Sequence, residues 1–110
     1  MQKSRLRQTM LLDLYGDLLT EKQRECYDLH YNEDLSLSEI AEQLSISRQG
    51  VWDNIRRAET ALEEYEEKTQ LRERLDSVRE KIGRIRKECE KIGPAAAEIT
   101  AMLAGLEAEL

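Results

Sequence analysis

The sequence contains no phenylalanine, one proline, one tryptophan and one histidine in 110 residues. The lone histidine, His30, has no companions for a catalytic triad. No group of Cys and His residues has the spacing of a metal site, and no glycine-rich phosphate loop is present. The chain therefore reads as non-catalytic, with no cofactor. No apolar run approaches the roughly 18 residues that a membrane-spanning helix needs. The N-terminal stretch "MQKSRLRQTMLLDLYGD" is basic and then apolar, but Asp13 and Asp17 interrupt it, which argues against a signal peptide. The two cysteines, Cys26 and Cys89, are far apart and occupy apolar positions of helical patterns. They read as buried, reduced thiols of a cytoplasmic protein.

Charged residues make up 36% of the chain, and the formal net charge is −6. Ala, Glu, Leu, Arg and Lys predominate, which is the composition of long helices. The acidic balance opposes non-specific binding of nucleic acid by the molecule as a whole. Two local basic clusters remain, Lys3, Arg5 and Arg7, and then Arg48, Arg56 and Arg57, the second offset by Asp53.

The pattern is all-α. A first helix is expected from Ser4 to Leu19, with Leu6, Met10, Leu14 and Leu18 on one face and Leu11 beside them. Thr20 with Gln23, and Ser36 with Glu39, form two capping boxes. They open helices over 21–32 and 37–44. The first of these should bury Cys26, Leu29 and either Tyr27 or His30, and the second Ile40, Ala41 and Leu44. Ser47 caps a further helix whose apolar seam runs Val51, Ile55, Ala58, Leu62 and Tyr65. "EEYEE", Glu63 to Glu67, reads as a solvated face.

The seam then slips by one residue, which predicts a break near 68–70. Beyond it Leu71, Leu75, Val78, Ile82, Ile85, Cys89 and Ile92 follow a heptad rule. "KIGP" closes that helix, with Gly93 suited to a left-handed residue and Pro94 starting a new element. A last helix over 95–110 repeats the spacing at Ile99, Leu103, Leu106 and Leu110. The expected organisation is a helix-turn-helix domain over 1–68 and a coiled-coil-like tail over 69–110. The tail either folds back as a helical hairpin or pairs with a second copy.

The segment 37–58 has what a helix-turn-helix requires. Ala41 is small where the helices cross, and Ile40, Leu44, Ile46, Val51 and Ile55 lock the second helix on the first. The turn position that often holds glycine is Ser45. The outward face of the second helix then carries Ser47, Arg48, Gln49, Trp52, Asp53 and Arg56. Arg48 and Gln49 suit guanine and adenine edges. Asp53 opposes contact with phosphates, and a Trp flanked by Arg suits a protein-binding hot spot.

Residues 19–68, with "LSLSEIAEQLSIS" and "RRA" within them, resemble region 4 of bacterial sigma factors. With "MLLDLYGDLLTEKQ" in front and "SRQGVWDNIRRAE" in the second helix, the chain more closely resembles the YlxM-like family of small bacterial helix-turn-helix proteins. That resemblance covers roughly residues 5 to 90, and the tail past Gly93 falls outside it. It implies an all-helical cytoplasmic protein encoded beside the signal recognition particle GTPase or its receptor, with a regulatory role in that pathway. Two readings follow. In one, the chain is a binding module for the particle's protein or its RNA, using Arg48, Trp52 and Arg56. In the other, it is a homodimeric transcription regulator that places the 47–58 helix on duplex DNA. The seam of Leu71, Leu75, Val78, Ile82, Ile85 and Ile92 would serve dimerisation or tail packing.

Overall fold

The computed structural model describes residues 4–110. Lys3 of the first basic cluster lies outside the described residues. The described residues form six α-helices and two short 3-10 turns, with no strand among them. They divide into two compact units, 1–70 and 71–110.

In the first unit, α1 (Arg5–Tyr15) is capped by Ser4, whose hydroxyl accepts from the Arg7 amide. It stops at Tyr15 instead of reaching Leu19. Residues Gly16–Leu18 tighten into a 3-10 turn, and Leu19 is extended. The cause is local: Gly16 weakens the helix, and Thr20 must leave helical geometry to cap α2. The buried face of α1 also differs from the expected one. Gln8, Leu11, Leu12 and Tyr15 face inward, whereas Leu6 and Leu18 are exposed. A polar residue inside this stripe hid it. Gln8 is buried because its backbone carbonyl and Oε1 both accept from the Tyr27 hydroxyl at 2.7 Å.

The helix α2 (Glu21–Tyr31) opens with the Thr20–Gln23 capping box, and α3 (Leu37–Leu44) with the Ser36–Glu39 box. Each box satisfies two amide donors that a helix start leaves orphaned. Cys26, Tyr27 and Tyr31 are buried on α2, while Leu29 and His30 are half-buried. His30 lies edge-on to Tyr31, with Nδ1 3.3 Å from the Leu35 carbonyl oxygen. Burial pushes the Cys26 thiol above its ordinary pKa, so it stays protonated.

The longest element of this unit is α4 (Arg48–Thr69), and Val51, Ile55, Ala58 and Leu62 form its buried seam. These four join the α1, α2 and α3 side chains in one core. Glu59 and Glu66 of α4 are buried too. That corrects the solvated reading of the acidic run at Glu66. The Tyr31 hydroxyl donates to Glu59, and the Tyr15 hydroxyl donates to Glu66 at 2.7 Å. Between them Arg7 grips Glu63 with two hydrogen bonds, of 3.1 and 2.7 Å. Arg5 pairs with Asp34 at 2.6 Å and holds that carboxyl below its ordinary pKa. The described part of the first basic cluster is thus engaged with carboxylates instead of forming a bare cationic patch.

Burial raises the pKa of Tyr27, reinforced by neighbouring Tyr31, Glu59 and Glu63. Burial also raises that of Tyr31, together with its hydrogen bond to Glu59. The fold therefore favours the neutral phenols. Their contribution to stability is complete below pH 10.0, the ordinary tyrosine value, and falls as the pH rises above it. The urea midpoint should decline above about pH 10, with phenolate absorbance of the buried pair rising only together with unfolding.

In the second unit, α5 (Leu71–Ile92) meets a 3-10 turn at Gly93–Ala96. Gly93 is left-handed, with φ of 83°. The helix α6 (Ala97–Ala108) returns as an antiparallel hairpin, starting at Ala97 instead of Ala95 because Pro94 sits in the 3-10 turn. Ile82, Cys89, Ala96 and Leu103 make its core, with Leu110 against them. Arg86 pairs with Glu107, which raises the guanidinium pKa, and Arg79 donates to the Leu110 carbonyl oxygen at 3.1 Å. The single heptad seam read from sequence therefore separates into two rows. Ile82 and Cys89 are buried inside the hairpin and Leu75 is half-buried, whereas Leu71, Val78, Ile85 and Ile92 are exposed.

Candidate recognition surface on the second helix of the helix-turn-helix

The turn between α3 and α4 is built by backbone hydrogen bonds. Ser45 takes the left-handed conformation, with φ of 57° and ψ of 44°. The Ile46 amide donates back to the Ala41 carbonyl at 3.1 Å, and the Ser45 amide donates to Glu42 at 3.4 Å. This pair of bonds ends a helix in a Schellman motif, the place where glycine is usual. Serine holds it here at a modest steric cost. Ser47 then caps α4, its hydroxyl accepting from the Gly50 amide at 2.9 Å.

Ile40 and Val51 are fully buried, and Ala41 and Ile55 nearly so, so α4 is fixed against α3 by the expected residues. That leaves Ser47, Arg48, Gln49, Trp52, Asp53, Arg56 and Arg57 all exposed. Leu37, Arg48, Gln49 and Trp52 line a shallow groove on this side.

Two pairings organise the face, and the sequence did not reveal either. The Gln49 side-chain amide donates to Asp53 at 3.0 Å. A glutamine that reads adenine must offer both its amide N–H and its carbonyl, and here the N–H group is directed at a carboxylate. The Arg56 guanidinium lies over the Trp52 ring, 5.3 Å from its centroid. Such stacking fixes the indole and screens one of its faces. Trp52 remains 43% exposed, so a large apolar body faces solvent about one turn into the helix.

Charge changes sign along α4. The N-terminal half presents Arg48, Arg56 and Arg57. Further along, a groove is lined by Arg56, Glu59, Thr60, Glu63, Glu64 and Glu67. A polyanion laid along the whole helix would be attracted at one end and repelled at the other. Among the described residues no helix is long and apolar enough to cross a membrane.

The architecture and this surface define a helix-turn-helix protein. The chain belongs to the UPF0122 family, described as "Putative helix-turn-helix protein, YlxM / p13 like", whose model matches residues 2–100. It is a family of helix-turn-helix proteins, not one of enzymes. A UPF0122 protein of Clostridium kluyveri is 53% identical over 78 residues, covering 71% of this chain and 70% of the relative. One from Thermoanaerobacter pseudethanolicus is 50% identical over 84 residues, covering 76% and 72%. One from Halalkalibacterium halodurans is 43% identical over 102 residues and 93% of each chain. The similarity thus runs past Gly93 into the hairpin, further than the sequence motifs alone suggested.

Proposed function

We propose that the chain is a non-catalytic regulatory module of the signal recognition particle pathway, working in the cytoplasm as a homodimer. In this reading the exposed face of α4 binds the particle's protein component or its RNA. The observation that carries it is Trp52, held by Arg56 at the centre of the outward face. A rigid, half-exposed indole flanked by guanidinium groups is the type of residue that dominates protein interfaces. The family resemblance supplies the pathway.

Duplex DNA is the second reading, supported by exposed Arg48 at the N-terminal end of α4. It requires Gln49 to leave Asp53 and requires phosphates to tolerate Asp53 and the acidic end of the helix. Titration of the labelled full chain with reconstituted signal recognition particle, and separately with duplex DNA, separates the two. Saturable binding to the particle that survives excess duplex supports the first reading. Binding to discrete duplex sites that is lost in Arg48→Ala, with none to the particle, replaces it by the second.

A further inference from the structure

The geometry points to a second copy of this chain as the occupant of the open side of the tail hairpin. In that arrangement α5 of each copy lies against α6 of the other in an antiparallel four-helix bundle. This rests on the homodimer reading above and specifies its surface.

Seven large apolar side chains are left exposed on α5 and α6: Leu71, Val78, Ile85, Ile92, Ile99, Met102 and Leu106, from 37% to 73% accessible. They are not scattered. Val78, Ile85 and Ile92 each lie four residues before or three after buried Ile82 or Cys89. Ile99 and Leu106 stand in the same relation to buried Leu103. Both offsets rotate a side chain in the same sense, by about 40° and about 60° on a helix of 3.6 residues per turn. In two antiparallel helices an equal sense of rotation carries both rows to the same side. The hairpin therefore has one row of each helix facing its own core and a second row facing outward on a common face. Met102, directly before Leu103, is turned further in that same sense.

Three observations select a second copy. First, the pattern is the two-row heptad of a bundle, and only one row is used within the chain. A unit of about this length seldom sustains a core by itself, and pairing is a common remedy. Second, charge is self-complementary. Arg86 and Glu107 pair within the chain on the opposite side of the hairpin, each four residues after a buried one. Toward the outward side α6 therefore carries the acidic Glu98, while α5 carries Lys81, Arg84 and Lys91 against Glu88. A two-fold axis parallel to the helices sets each basic α5 beside an acidic, antiparallel α6. Third, the size suffices. At about 1.5 Å per residue and about 10 Å between helix axes, the face offers on the order of 600 Å² per copy. The pair then buries about 1,200 Å², the lower bound of stable interfaces.

The arrangement also sets the register. The Arg86–Glu107 pair places Ile85 and Leu106 at one level of the hairpin, and this axis preserves levels, so Ile85 of one copy meets Leu106 of its partner copy. Sedimentation equilibrium of the full chain should give twice the 12.8 kDa chain mass. Ile85→Lys alone, and Leu106→Glu alone, should each give the single-chain mass with helical circular dichroism retained, because both side chains face solvent within one hairpin. Mixing the two variants should restore the doubled mass through one Lys–Glu contact and one native contact. A single-chain mass for the natural protein at about 100 µM, where even a weak pair with a micromolar constant is formed, overturns both the homodimer reading and this face. A doubled mass unchanged in both variants overturns the face alone. Single-chain variants whose mixture stays at the single-chain mass overturn the α5-against-α6 arrangement. Ile82→Asp is the contrasting variant: Ile82 is 3% exposed inside the hairpin, so it should lower helicity whatever the oligomeric state.

Discussion

Trp52→Ala will weaken the proposed binding of the signal recognition particle by about 30-fold or more, the roughly 2 kcal/mol that defines an interface hot spot. The indole sits at the centre of the outward face of α4 and is already ordered by the Arg56 guanidinium 5.3 Å from its ring. A partner that covers it gains apolar burial without the entropy cost of fixing a mobile side chain. Truncation removes that burial and the stacking platform of Arg56 together. The substitution will leave the far-ultraviolet circular dichroism and the urea midpoint nearly unchanged, because Trp52 belongs to neither buried cluster among the described residues. Isothermal titration of the variant against the particle decides the matter. A loss below about 1 kcal/mol, the level of an ordinary interface position, removes Trp52 from the proposed interface.

The second large effect is on the fold. Leu62→Ala will destabilise the helix-turn-helix unit by about 2–5 kcal/mol, the range for truncating a buried leucine. Leu62 is fully buried in the core that joins α1, α2, α3 and α4. A unit of this size carries a total stability of only about 4–10 kcal/mol, so the variant should stand near its unfolding midpoint at mild urea concentrations. The chain has a single tryptophan, and it lies in this unit. Its fluorescence reports the unit's unfolding separately from that of the hairpin. Leu106→Ala, at an exposed position, should leave that fluorescence transition in place. A Leu62→Ala midpoint within about 0.5 kcal/mol of the natural protein, the scale of an ordinary surface substitution, would contradict the assigned core.

The parts of this fold visible in sequence are those with local causes. The two capping boxes, the Ser47 cap, the left-handed Gly93 and the α4 seam each follow from a few adjacent residues. The parts that were not visible depend on partners distant in the chain. The inward face of α1 includes Gln8, whose burial makes sense only with Tyr27 donating to it. Glu66 reads from sequence as part of a solvated acidic run because nothing near it indicates that Tyr15 supplies its hydrogen bond, and the burial of Glu59 likewise depends on the distant Tyr31. On the candidate surface, helical period alone gave the outward residues, since α4 buries the expected seam. The Gln49–Asp53 and Arg56–Trp52 pairs required side-chain conformations that no spacing rule contains. In the tail, the heptad spacing is compatible with both rows facing one partner. Only the return of α6 decides which row is inside.

The three side-chain links from Tyr31, Arg7 and Tyr15 to Glu59, Glu63 and Glu66 also have a mechanical meaning. They lie along the same helix that carries Trp52, so α4 cannot roll about its axis without breaking all three. Torsional freedom is thereby removed from the surface before any partner arrives. Binding at Arg48–Arg57 should then displace α1, α2 and α4 together as one body, and backbone amide perturbations measured by NMR should extend along α4 into α1 instead of stopping at the contact.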